Sequence, residues 1–131
     1  MGANVGEPIF VTKDEGHQQP VPSIWRPTIA GIAEALCRGD YTLTAEIAGV
    51  RPISKRVANQ IADNVAAYGV VLGRLPDATW NSSACQWMQG WWEVLVDLFD
   101  QGGSRTDLVI SLRVSEMKSQ FRYQVMSVFV P

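Results

Sequence analysis

The sequence predicts an α+β fold in which two amphipathic helices pack on a C-terminal three-stranded antiparallel meander. Two observations carry this expectation. Apolar residues recur with a period of about 3.6 in two segments of the first half, and the last third switches to a period of two. The alternating segments follow one another on short loops, which permit only antiparallel pairing. Such a sheet has a face to cover, and two amphipathic helices can cover it.

The first helix is expected over Pro27 to Arg38. Pro27 suits the first helical position, where its missing N–H costs nothing. Ile29, Ile32, Ala33 and Leu36 share one face, and Gly39 can adopt the left-handed conformation that ends a helix. Tyr41 to Ala48 reads equally as a strand or a short helix. After breaks at Gly49 and Pro52, Ser54 is the expected N-cap of a second helix running to Tyr68. Val57, Ile61, Val65 and Tyr68 line its apolar face, and Gly69 is its C-terminal cap.

Val70 to Gln89 reads as a connector, turned at Leu75-Pro76-Asp77 and Asn81-Ser82-Ser83. Trp80, Trp87 and Met88 are expected to fold back on the core. Trp91 to Phe99 is the first meander strand, with Trp92, Val94, Val96 and Leu98 on one face. A loop over Asp100 to Ser104 leads to the second strand, Arg105 to Ser115. A turn over Glu116 to Gln120 leads to the third, Phe121 to Val130. Residues 23–131 form one domain in this reading. Residues 1–22, interrupted by Gly2, Gly6, Pro8, Gly16, Pro20 and Pro22, form a loosely structured arm in which Ile9-Phe10-Val11 is a candidate edge strand.

The composition narrows the function classes. Of 131 residues, 47% are hydrophobic and 18% charged, a globular profile for one domain. The formal net charge is −2, whereas a protein that grips nucleic acid along its surface usually carries a basic surplus. Nucleic acid is therefore an unlikely partner, and a protein partner is favoured. No apolar run approaches the roughly 20 residues of a membrane helix. Met1 to Pro22 also lacks the charged and apolar regions of a signal peptide, so a cytoplasmic protein is expected. Cys37 and Cys85 share no metal-ligand spacing and are expected to be reduced thiols.

Little in the chain suggests catalysis. His17 is the only histidine and sits in the arm, which leaves a Ser-His-Asp or Cys-His centre without a well-placed base. Phosphate-cradling glycine motifs are absent, and no cofactor is expected. One carboxylate arrangement stands out. Glu93 and Asp97 share the mixed face of the first meander strand, and Asp107 lies on the matching face of the second. In one register Asp97 opposes Asp107, an arrangement that needs an offsetting cation and so suggests a Mg²⁺-dependent hydrolase. The plainer reading is a solvated face with Arg105 and Arg113 as counter-charges. Trp91 lies on that same face, and an aromatic beside carboxylates is a common interface anchor. Trp91, Glu93, Asp97 and Asp107 are thus the candidate partner-binding residues.

Two other groupings bear on function. Arg51, Lys55 and Arg56 gather at the start of the second helix, where they can hold an anion or simply solubilise the chain. Thr44 to Gly49 followed by Ser54 to Ile61 suggests a helix-turn-helix DNA-binding regulator, with the later hairpin as a wing. Pro52, the wide turn and the acidic balance weigh against it.

The C-terminal pattern carries a further likeness. It runs Trp92-Glu93-Val94-Leu95-Val96-Asp97-Leu98, then a glycine loop, then Ser104-Arg105-Thr106-Asp107-Leu108-Val109-Ile110-Ser111-Leu112, and ends Phe129-Val130-Pro131, with Gly39-Asp40-Tyr41 after the first helix. From about Trp25 onward it resembles a family of small bacterial proteins that includes proteins similar to the immunity proteins of contact-dependent growth inhibition systems. The resemblance implies a non-enzymatic cytoplasmic protein that binds and blocks the toxic C-terminal domain of a delivered effector, often a nuclease. It assigns no contact residues. A mildly acidic inhibitor suits a basic nuclease, because opposite potentials speed encounter.

Overall fold

A computed structural model describes residues 11–131. Both helices form where the periodicity places them. Helix α1 spans Arg26–Cys37 with Pro27 in its first turn, and helix α2 spans Lys55–Tyr68. The Ser54 hydroxyl accepts the Val57 N–H at 3.2 Å, and Gly69 closes the helix in the left-handed conformation.

The sheet differs from the three-stranded meander expected. Among the described residues it has five antiparallel strands in sequential order: β1 Gln19–Pro20, β2 Ala84–Trp87, β3 Trp92–Phe99, β4 Arg105–Met117 and β5 Gln120–Phe129. The two additional strands come from segments read as arm and connector. Neither carries an intrinsic strand signal, since β1 is two residues including a proline and β2 lacks β-branched alternation. Pairing with a neighbour creates them: Ala84–Trp87 lies along Trp92–Leu95, and Gln19–Pro20 then lies along Ala84–Cys85.

Residues 11–22 of the expected arm are tied to this sheet. The Trp92 indole N–H donates to the Thr12 carbonyl at 3.0 Å, the Gln86 amide donates to the Glu15 carbonyl at 2.6 Å, and Val21 is fully buried. Of the candidate edge strand Ile9-Phe10-Val11, the first two residues lie outside the described part, and Val11 is in no strand.

One core lies between the helices and one face of the sheet. Ile29, Ile32 and Leu36 of α1 and Ala58, Ile61 and Val65 of α2 join Trp92, Val94 and Val96 of β3, Leu108, Ile110, Leu112 and Val114 of β4, and Tyr123, Val125 and Val128 of β5. At one end Trp25 meets Trp92 edge to face at 5.2 Å, and Trp87 meets Trp92 at 4.7 Å. Trp87 and Trp80 are only partly buried, whereas Trp25, which the periodicity does not mark, is fully buried.

Two bulges shape the sheet. Met126 is an extra residue in β5, because Ser127 pairs with Ser111 while Val125 pairs with Leu112. In β4, Thr106 to Leu108 face the single residue Leu98. The buried Thr106 hydroxyl repairs this break: it donates to the Leu98 carbonyl at 2.9 Å and accepts the Leu108 N–H at 3.1 Å.

Candidate functional site

Because both helices pack on one face, the other face of β3, β4 and β5 carries no helix. Along β3 it presents Glu93, Leu95 and Asp97, with Trp91 just before the strand. Ser111 and Arg113 of β4 and Gln124 and Ser127 of β5 share it. These residues are half-buried.

Three of the four candidate residues meet on this face. The Arg113 guanidinium lies over the Trp91 ring, its carbon 4.0 Å from the ring centroid. This cation–π contact clamps the aromatic against the sheet. Glu93 sits between Gln86 of β2 and Arg113 of β4 in the ladder. Asp97 follows four residues along, but the register sets it across from Val109, not Asp107. The β4 bulge is the cause: its extra residues move Asp107 out of line with β3. Asp97 instead accepts a hydrogen bond from the Ser82 hydroxyl, and its backbone N–H donates to Ser83 Oγ at 3.1 Å. Asp107 turns toward α2 and accepts from the Tyr68 hydroxyl at 3.2 Å. The opposed carboxylate pair that suggested a metal hydrolase is therefore not formed. Among the described residues no three His, Cys, Asp or Glu side chains converge as metal ligands.

The helix-turn-helix arrangement is not formed either. Residues 39–54 contain no helix. The Asp40 carboxylate organises this stretch, accepting from the Thr44 N–H and hydroxyl at 2.9 Å each and from the Ala45 N–H at 3.1 Å. These bonds, the Thr44 N–H foremost, hold the Asp40 carboxyl below its ordinary range. They satisfy locally the backbone groups that a first helix would have used.

The same segment then does something the sequence does not advertise. Val50 pairs in parallel with Tyr123 of β5. The Arg51 N–H donates to the Tyr123 carbonyl at 2.9 Å, and the Tyr123 N–H donates to the Gly49 carbonyl at 2.9 Å. Gly49 has φ +78°, and a Cβ there would crowd the Phe121 carbonyl, so glycine is needed for this approach. Arg51 is thereby set beside the sheet face that holds Arg113 and Arg122, and the three line one cavity. The sequence reading missed this grouping, and no local signal could have revealed it, since the three arginines come from three separate elements.

The cysteines play no visible part on this face. Cys37 donates to the Leu72 carbonyl at 2.9 Å and Cys85 to the Pro20 carbonyl at 3.6 Å. Burial pushes the Cys85 thiol up to about 11.

The structure thus defines a small α+β protein whose sheet is covered on one face and open on the other. The chain belongs to the family of the domain of unknown function DUF7668, whose model matches residues 33–131, a span that includes the open face of β3 to β5. No curated protein and no solved structure matches the chain. Among the described residues no helix is long and apolar enough to cross a membrane.

Proposed function

We propose that this chain is a non-enzymatic binding protein that receives a protein partner on the open face of its sheet. The observation that carries the reading is the Trp91–Arg113 stack on a sheet face left free of helices, flanked by Glu93 and Asp97. Trp and Arg are the residue types that most often dominate binding energy, and the ring and guanidinium hold each other in place before any partner arrives. The specific form follows from the C-terminal strand pattern alone: the cytoplasmic immunity partner of a toxin domain from a contact-dependent inhibition effector. Asp107, turned toward α2, is a weaker contact candidate than the other three.

The test is co-purification of a tagged copy from its native host with identification by mass spectrometry, followed by reconstitution with the recovered fragment. Stoichiometric recovery of the C-terminal fragment of one large effector is expected. Trp91→Ala should then weaken the reconstituted complex by about 2 kcal/mol or more. Charge reversal at Glu93 and Asp97 together should slow association. A complex indifferent to all three changes, made in folded protein, removes this face as the interface.

A further inference from the structure

Beside the open face, where the Gly49–Pro52 loop meets the β4–β5 hairpin, lies a cavity of about 540 Å³, within the range of small-molecule sites. Arg51 of the loop, Arg113 of β4 and Arg122 of β5 all line it, and among the described residues no acidic side chain does. Ser115 and Gln124 add hydrogen-bonding groups, and Met117 adds an apolar wall. Among the described residues none of the three guanidinium groups is in an ion pair. Even Glu93, across the ladder from Arg113, makes none with it. Three like charges gathered without a counter-charge repel one another, and this chain has a surplus of carboxylates that could have offset them.

Arg113 is also preset. The Trp91 ring fixes its plane, and its Nε is buried without a hydrogen-bond partner. A guanidinium stripped of water at one nitrogen with no acceptor among the described residues is an unfavourable state that an incoming anion can offset. Arg51 is held as firmly at its backbone, by the 2.9 Å bond to Tyr123.

We propose that this cavity binds the phosphate group of a small organic phosphate. Three guanidinium groups from three elements suit a group with several oxygens to share, whereas a carboxylate has two in one plane. A long polyanion fits less well, because beyond the cavity the same face continues into Glu93 and Asp97. Binding should strengthen as the phosphate loses its second proton near pH 6. This inference concerns a small ligand; it shares Arg113 with the protein-partner reading but does not require a protein partner.

The experiment is calorimetric titration of the full chain, at fixed salt, with inorganic pyrophosphate, ADP and citrate, alongside NMR of the arginine Nε–H groups. Saturable binding of one pyrophosphate or ADP per chain is expected, with the Arg113 Nε–H resonance shifting. Arg51→Gln and Arg122→Gln replace exposed side chains and should leave the melting temperature unchanged while weakening binding roughly tenfold or more each. Arg113→Lys keeps the charge but loses the fork and should also weaken it. Tighter binding of ADP than of pyrophosphate identifies an organic phosphate, and equal binding identifies the free anion as sufficient; both support a phosphate site. No saturable binding at millimolar pyrophosphate or ADP overturns the proposal. So does citrate binding tighter than both, or phosphate binding that ignores all three arginine variants.

Discussion

The Tyr68 hydroxyl and the Asp107 backbone form a two-way clasp: the hydroxyl accepts the Asp107 N–H at 3.0 Å and donates to the Asp107 carboxylate at 3.2 Å. β5 pairs with β4 only as far as Val109, so the earlier residues of β4 have no strand partner on that side. A helix side chain supplies what the missing strand would have. Tyr68→Phe should therefore cost about 1 kcal/mol by chemical denaturation and speed hydrogen exchange at the Asp107 N–H. Asp107→Asn keeps an acceptor and the backbone bond, and should cost less. A Phe variant with unchanged exchange at Asp107 would show the clasp to be absent in solution.

The β4–β5 hairpin turns on two residues, Lys118 with φ 50° and Ser119 with φ 67°. Positive φ at both positions is the turn whose twist matches the strands, and it favours Asn-Gly over Lys-Ser. The double change Lys118→Asn, Ser119→Gly should raise stability by roughly 0.5–1 kcal/mol, read as a higher denaturation midpoint with an unchanged slope.

Cys85 gives stability a pH dependence on the alkaline side. Burial lifts its thiol from 9.0 to about 11. Below pH 9 both folded and unfolded chains keep the proton. From there to about pH 11 the unfolded chain releases it and the folded chain does not, so stability falls as pH rises, by at most about 3 kcal/mol. Cys85→Ala should flatten that slope. Any slope left at the alkaline end belongs in part to Tyr123, whose hydroxyl is also pushed up by burial. The folded protein should resist alkylation at Cys85 at pH 7.5, and rapid labelling there would contradict the burial.

Gly73 holds the connector against the end of β3, its N–H donating to the Phe99 carbonyl at 2.8 Å. A Cβ at this position would collide with the Asp100 carbonyl, which is backbone and cannot swing away. Gly73→Ala should cost about 1–3 kcal/mol in thermal or chemical melts. A neutral result would mean that the loop is not packed there.

The parts legible in the sequence are those where local and tertiary forces agree. The face from Ile29 to Leu36, the Ser54 cap and the Trp92 to Leu98 alternation each state their own structure. β2 does not, because Ala84 to Trp87 is extended only through the partner it meets. The carboxylate expectation failed for a similar reason. Glu93 and Asp97 are correctly on one face, but the position of Asp107 depends on a bulge stabilised by the Thr106 hydroxyl, and Thr106 reads in sequence as one more alternating residue. The arginine grouping was hidden by distance: Arg51, Arg113 and Arg122 meet only because Gly49 lets a loop lie against Tyr123.

That loop contact also limits how the molecule can be approached. One margin of the sheet is the two-residue β1, where Pro20 has no N–H to offer. At the other margin the loop takes both backbone groups of Tyr123, the Asn64 amide takes the Val128 carbonyl at 2.9 Å, and the Met126 bulge interrupts the stretch between. Among the described residues neither margin presents a long regular row of free donors and acceptors onto which a foreign chain could zip. The partner we propose would have to be recognised by side chains pressing on the broad surface, and the protein should stay dispersed at concentrations where open-margined sheets stack into fibres.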